Sequence, residues 1–487
     1  MICKSCYSEF MNARTHITDY LKINAEKYPD KEALICANRT FTWKTLAEEV
    51  TLVANQINQR IGSNEQQIVS TLFPNSWELV VAYLGILEAG HIALPLDIMF
   101  KAMEIEAITS QIPPALTITI ADNRHSFPAN DQRVVLLDTL LKKTTATPNL
   151  RIAPEKQIAS MLFTSGTTGK PKAAPYTHAN HLWTIATSSK LYEWTPEDTL
   201  LLALPLSHWH GLVIGISGAL YHGNTIYLQE RLDPELMLST MASGKISLFM
   251  HVSLAYTKMV QHEPSKTYDL SAVRLCISAS SALPPKIWES FKERFGVEIL
   301  ERYGSSEAGC IASNSLTNRI PGSPGKAVPG TELALHENGE LKIKTPALFP
   351  GYYHNDEATQ KNLLPGGWWL TGDMAEFDAE GHVFLKGRIQ EKIKKFGYSL
   401  SPRDIEWALQ NNNPKLKEVF VMGIQDPQES SDTLAYFIVG NITEEEVITH
   451  CKKHLPSAWR PDRIFILDAI PRTRSGKPIM AALKAML

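Results

Sequence analysis

The sequence predicts an α/β fold with two doubly wound sheets, an antiparallel barrel or sheet, and a smaller α+β unit at the C-terminal end. Three observations carry this reading. Short apolar runs alternate with helical patterns from Thr18 to about Arg302, which is the rhythm of parallel sheets. Between about Ile320 and Lys386 the runs become short, closely spaced and punctuated by turn signals. Beyond Gly387-Arg388 polarity rises through Ile389-Gln390-Glu391-Lys392 before a new set of helices and strands begins.

Taken in order, Thr42 caps a helix that runs to about Ile61, Gln67 to Phe73 reads as a strand, and Trp77 to Ala89 as a helix. The rhythm resumes with strands at Met161 to Thr164, Leu200 to Leu204, Thr225 to Leu228, Ser247 to Met250, Leu275 to Ser278 and Glu298 to Arg302. Glu337-Asn338-Gly339 and Asp378-Ala379-Glu380-Gly381 mark the turns of the antiparallel part. In the last segment Ser401 as N-cap with Pro402 behind it starts a helix through Leu409. Thr443 with Glu446 forms a capping box for a helix ending near Lys453.

Composition bounds the function. With 487 residues, 44% of them hydrophobic and 20% charged, the chain has material for roughly three domains of about 150 residues. Forty-eight Lys and Arg against 51 Asp and Glu leave a net charge of −3, so no basic field exists to hold nucleic acid or an anionic membrane surface. A small molecule is the expected partner. No stretch approaches the roughly 18 uncharged apolar residues of a membrane helix, and the first fifteen residues do not read as a signal peptide. Six scattered cysteines suit a reducing cytoplasm, and the Cys3/Cys6 pair lacks the second ligand pair of a zinc site.

The sharpest chemical signal is Thr164-Ser165-Gly166-Thr167-Thr168-Gly169-Lys170-Pro171-Lys172, delivered by the apolar run Met161-Leu162-Phe163. Two glycines let backbone approach an anion, hydroxyls and N–H groups donate to phosphate oxygens, and two lysines offset charge. It is not the Walker loop, because two residues rather than four separate Gly166 from Gly169-Lys170.

At this loop the chain resembles the adenylate-forming superfamily of acyl-CoA synthetases, adenylation domains and luciferases. Four further segments match in the family's order: Tyr303-Gly304-Ser305-Ser306-Glu307, Trp369-Leu370-Thr371-Gly372-Asp373, Gly387-Arg388, and Pro471-Arg472-Thr473-Arg474-Ser475-Gly476-Lys477. The resemblance implies ATP at Thr164, Ser165, Gly166, Thr167, Thr168, Gly169, Lys172, Ser280, Tyr303, Ser306, Asp373 and Arg388, with Asp373 on the ribose hydroxyls. Glu307 becomes the Mg²⁺ ligand and Lys477 the adenylation lysine. His208 in Leu206-Ser207-His208-Trp209-His210-Gly211 becomes the gate of the thioester step. Trp209, His210 and Ser278 line the acyl pocket.

The same resemblance divides the chain into a large domain over 1–386, a hinge at 387–390 centred on Gln390, and a small mobile domain over 391–487. Gly397 and Tyr398 then line the coenzyme A tunnel once the small domain rotates. Three departures stand out: Ser306 where Thr is common, Gln390 where Asp or Lys is usual, and Ala173 where Gly usually follows the loop.

The implied reaction joins a small carboxylic acid to ATP as an acyl-adenylate, releases pyrophosphate, and passes the acyl group to coenzyme A. Two anions must meet for this, and cations must stabilise both the entering and the leaving group. The alternative acceptor is a carrier-protein thiol, for an acyl or aminoacyl group. An aminoacyl substrate is disfavoured because Ser207-His208-Trp209 supplies no Asp for an α-ammonium. The segment Tyr256-Thr257-Lys258-Met259-Val260 resembles malonyl-CoA synthetases and makes Lys258 a candidate reader of a second polar or anionic group on the acid, the alternative being a solvated helix lysine.

Overall fold

The computed structural model describes residues 16–487 apart from 146–149, 151, 154, 165–171, 264–266, 396–397, 425–431 and 474–475. Two large sheets carry most of the N-terminal part. The first has six strands in the order Val134–Leu136, Leu116–Thr119, Ile68–Leu72, Ile92–Leu96, Ile158–Thr164 and Lys172–Thr177, parallel except for the last pair. The second has nine, with parallel strands Ile299–Ser305, Leu275–Ala279, Leu248–Val252, Thr199–Leu202, Thr225–Leu228 and Glu32–Cys36 at its centre and antiparallel strands at both edges.

Local chemistry explains the helix limits. Thr42 accepts from the Thr45 N–H and Gly62 ends the same helix in the left-handed conformation, so it runs Trp43–Ile61 as the sequence predicts. Helix Trp77–Ala89 is apolar around nearly its whole girth, and it is buried from Leu79 onward in one apolar cluster that draws on both sheets. Its all-round hydrophobicity, rather than an amphipathic stripe, is what a helix packed on several sides requires.

The stretch expected as an antiparallel barrel or sheet is a five-stranded antiparallel sheet in which Trp368–Phe377 pairs with Glu340–Lys344, Leu363–Leu364 and Val383–Arg388. The chain leaves it at Arg388 through a single 3-10 turn, Ile389–Glu391. Beyond lie the hairpin Ile393–Lys395 with Tyr398–Leu400, the helices Pro402–Asn412 and Glu444–His454, and a three-stranded sheet. These elements bury apolar clusters of their own. Both predicted caps are present, Ser401 accepting from the Asp404 N–H and Thr443 from the Glu446 N–H. Among the described residues no helix is long and apolar enough to cross a membrane.

Candidate active site

A cleft of about 2050 Å³ opens where the carboxyl ends of the parallel strands meet the third sheet and the C-terminal elements. Ligands of open α/β sheets bind at such strand ends, because there the chain turns away and leaves backbone and side chains facing a crevice.

The phosphate-loop residues Ser165, Gly166, Thr167, Thr168 and Gly169 lie outside the described residues, as does Gly397. The described residues on either side of it, Thr164 and Lys172, are Cα partners in an antiparallel pair. Lys172 lines the cleft with its ammonium 5.0 Å from the ring centroid of Tyr352.

Strand Ile299–Ser305 brings Tyr303 to the cleft, where its hydroxyl donates to Oδ2 of Asp373. Oδ1 of Asp373 lies 3.0 Å from Nε of Arg388. Glu307, just past the same strand, accepts at Oε1 from the Tyr352 hydroxyl at 2.7 Å, and Ser306 lines the cleft beside it. Ser280 has φ +69°, a left-handed conformation rare outside glycine, at the turn leaving strand Leu275–Ala279. It lines the cleft.

Lys477 reaches this group from the C-terminal elements. Its turn, closed by the Gly476 N–H to Thr473 carbonyl bond with Gly476 at φ +81°, packs against Val252 and Leu254 of the large part. The surrounding protein strips solvation from its ammonium and Arg388 repels it, so its pKa falls below the ordinary lysine value. The carboxylates of Glu307, Asp373 and Glu391 pull it back up. Gln390, in the 3-10 turn, also lines the cleft, while Tyr398 begins the second strand of the small hairpin.

The cleft is also lined by His208, Trp209 and His210. His208 Nε2 lies 3.6 Å from Oδ2 of Asp97, which also accepts from the Ser207 hydroxyl. The Trp209 indole packs on Tyr176 and His181 at ring-centroid separations of 4.2 and 5.1 Å. His210 is buried with no hydrogen-bond partner on either ring nitrogen among the described residues, and burial pushes its pKa well below the usual value, with Arg302 and His251 adding to the effect. Ser278 is buried too, its hydroxyl also unpartnered among the described residues; it adjoins His251 across the sheet and does not line the cleft itself.

Sequence reasoning missed Arg302. It is 8% exposed, lines the cleft, touches the neutral groups Tyr192 and Cys310, and leaves Nη1 without a partner among the described residues. Strand alternation was the available signal: if Tyr303 faces the nucleotide side, Arg302 must face the other. For Lys258 the structure favours the alternative of a solvated helix lysine. It is exposed on helix Ser253–Gln261 and is not among the residues lining the cleft, because Thr257, Val260 and Gln261 take that face. Tyr352 and Asp97 were likewise missed, since their partners are 45 and 110 residues away in sequence.

The residues suit the groups the reaction requires. A carboxylate such as Asp373 can accept from sugar hydroxyls, and Mg²⁺ is usually held by one or two carboxylates, of which Glu307 could be one, together with substrate phosphates. Two wound sheets, a third antiparallel sheet and a small C-terminal domain whose lysine enters the shared cleft define the adenylate-forming class.

Comparison with known proteins agrees. The model of the AMP-binding enzyme family matches residues 21–353, and that of the AMP-binding enzyme C-terminal domain matches 404–477. The chain belongs to the AMP-binding enzyme family. It is 28% identical over 492 residues to an oxalate–CoA ligase of Arabidopsis thaliana, covering 93% of this chain and 95% of that one. It is also 28% identical over 469 residues to a 2-succinylbenzoate–CoA ligase of Listeria innocua, covering 95% and 97%. Among solved structures, ATP-bound MatB of Rhodopseudomonas palustris superposes with a TM-score of 0.88 at 24% identity, covering 97% of this chain and 99% of that one; its apo form gives 0.77.

Proposed function

We propose that the protein is an AMP-forming acid–CoA ligase: it joins a carboxylic acid to ATP, releases pyrophosphate, and transfers the acyl group from the adenylate to the thiol of coenzyme A. The observation that carries this reading is the convergence of Lys477, from the C-terminal elements, with Glu307, Asp373 and Arg388 in one cleft. Lys477 and Arg388 bring positive charge to the point where a carboxylate must meet the α-phosphate, lowering the repulsion between two anions. Asp373 takes the ribose hydroxyls. Glu307 holds Mg²⁺, which supplies further charge neutralisation at the phosphates when bound. The segment at 387–390 acts as the hinge, and the small domain rotates between half-reactions so that Lys477 serves only the first.

The acid is a small one with a second anionic or strongly polar group. Arg302, rather than Lys258, is the residue that supports this. A buried guanidinium with an unused donor, facing neutral groups, is costly unless a substrate anion completes it. His210, beside it, adds two ring nitrogens with no partner among the described residues. Trp209, wedged against Tyr176 and His181, limits the length of acid that fits. Oxalate and 2-succinylbenzoate, the acids in the names of the two relatives, both carry a second carboxylate.

A panel of mono- and dicarboxylic acids scored for pyrophosphate release with and without coenzyme A tests the reading. CoA-dependent turnover of a short dicarboxylate is expected; pyrophosphate release that coenzyme A never affects, with adenylate accumulating, would overturn the ligase assignment.

A further inference from the structure

We propose that Tyr352 is a positioning residue for adenylation, one that holds the Glu307 carboxylate and the Lys172 ammonium in register at the two edges of the phosphate site. This rests on the reading of Glu307 as the Mg²⁺-binding carboxylate.

The two groups belong to different sheets. Lys172 begins the edge strand of the six-stranded sheet, and Glu307 follows a strand of the nine-stranded one. The segment Phe349–Tyr353, which belongs to neither sheet, ties them together through four contacts. The Phe349 N–H donates to the Glu307 carbonyl at 2.8 Å, and the Tyr353 N–H to the carbonyl of Ala173, next to Lys172, at 2.9 Å. Between these backbone anchors the Tyr352 hydroxyl donates to Glu307 Oε1 at 2.7 Å and its ring meets the Lys172 ammonium.

The brace is itself rigid. Gly351 has φ +129°, and a Cβ there would lie 2.9 Å from Thr359 Cγ2, so only glycine allows the chain to pass. The Tyr352 N–H donates to the Thr359 hydroxyl, and the ring is 8% exposed, packed edge-on against Phe349 and Trp369. The chemistry of the two contacts suits a phosphate site. A phenol donating to one carboxylate oxygen fixes the carboxylate plane and leaves the other oxygen for a cation. An aromatic face orients an ammonium without supplying a counter-charge that would cancel it.

Three variants test this: Tyr352→Phe, which keeps the ring, Tyr352→Leu, which loses both contacts, and Glu307→Gln as the reference. The readouts are equilibrium ATP binding by calorimetry with Mg²⁺ and in EDTA, the Mg²⁺ dependence of pyrophosphate release, and thioester formation from supplied acyl-adenylate. Tyr352→Phe is expected to raise the half-saturating Mg²⁺ about tenfold, the size of one charge-assisted hydrogen bond. It should leave ATP binding in EDTA and the thioester step unchanged. Tyr352→Leu should weaken ATP binding in EDTA as well, and Glu307→Gln combined with Tyr352→Phe should be no worse than Glu307→Gln alone. A normal Mg²⁺ dependence in Tyr352→Phe, with Glu307→Gln shifted, would overturn the role of Tyr352 alone. A normal Mg²⁺ dependence in Glu307→Gln would instead remove the metal reading on which the proposal stands.

Discussion

Asp373 and Arg388 are Cα partners across two antiparallel strands of the third sheet, and Nε of the arginine lies 3.0 Å from Oδ1 of the aspartate. The carboxylate assigned to the ribose is therefore bonded to the last residue before the 3-10 turn that leads into the C-terminal domain. On the proposed reading, a rotation of that domain would pivot beside this pair, with the residues just beyond Arg388 as the hinge.

If Gln390 is the hinge, Gln390→Ala is expected to slow thioester formation more than adenylation, because the proposed rotation between the two half-reactions passes through its backbone while Asp373 and Arg388 keep their pairing. Single-turnover rates for each half-reaction measure this. Equal losses in both would remove Gln390 from the hinge.

Lys477→Ala should reduce adenylate formation by a factor on the order of 10² to 10³, the loss typical for one charge-stabilising donor. Thioester formation from supplied acyl-adenylate should stay close to normal. Because desolvation by the surrounding protein and repulsion from Arg388 lower the lysine's pKa, its charge is lost at lower pH than that of an unperturbed lysine. The alkaline limb of the adenylation profile should accordingly move upward in Lys477→Arg, whose guanidinium stays charged. Comparable loss of both half-reactions in Lys477→Ala would defeat the two-conformation reading.

Arg302→Met should lower kcat/KM for a dicarboxylate relative to its monocarboxylate analogue by about tenfold or more, corresponding to roughly 1.5 to 3 kcal/mol for a hydrogen bond to a charged group. Lys258→Met, on the exposed face of its helix, should leave that ratio unchanged. An unchanged ratio in Arg302→Met, with succinate over butyrate as the pair, would show that the guanidinium does not read the acid.

Glu301 is 6% exposed, accepts from the Gly322 N–H at 2.9 Å, and is pushed up to about 8 by burial. Its folded-state pKa lies above the ordinary value of 4.5. The folded protein thus holds a proton that the unfolded chain releases, and this contribution to stability is complete below about 4.5 and lost as pH rises through about 8. Glu301→Gln stays neutral and keeps an acceptor for Gly322. Its unfolding midpoint should match the parent near pH 5 and exceed it at pH 8, by a free energy on the order of a few kcal/mol at about 1.4 kcal/mol per pKa unit. Parallel curves for the two proteins from pH 5 to 8 would refute a raised pKa.

Thr42, Ser401 and Thr443 announce their helices because a cap is satisfied within three residues, and the apolar runs announce their strands because parallel strands are buried on both faces. Tyr303, Glu307, Asp373, Arg388 and Lys477 were legible because each stands in a short segment with its own recognisable order, whatever lies far away. What the sequence by itself determined is thus local: where elements begin and end, and which short segments carry the residue order on which the family resemblance rests. Only the tertiary structure decided which side chains meet. Arg302 is an ordinary strand residue until burial takes its water away and leaves Nη1 with no partner among the described residues, and Lys258 is an attractive candidate until its helix turns it outward. Tyr352 acquires its place only when three sheets converge and bring Lys172 and Glu307, 135 positions apart in the chain, to the same aromatic ring. Desolvation and long-range contact depend on what surrounds a group in space, and no window of sequence contains that information.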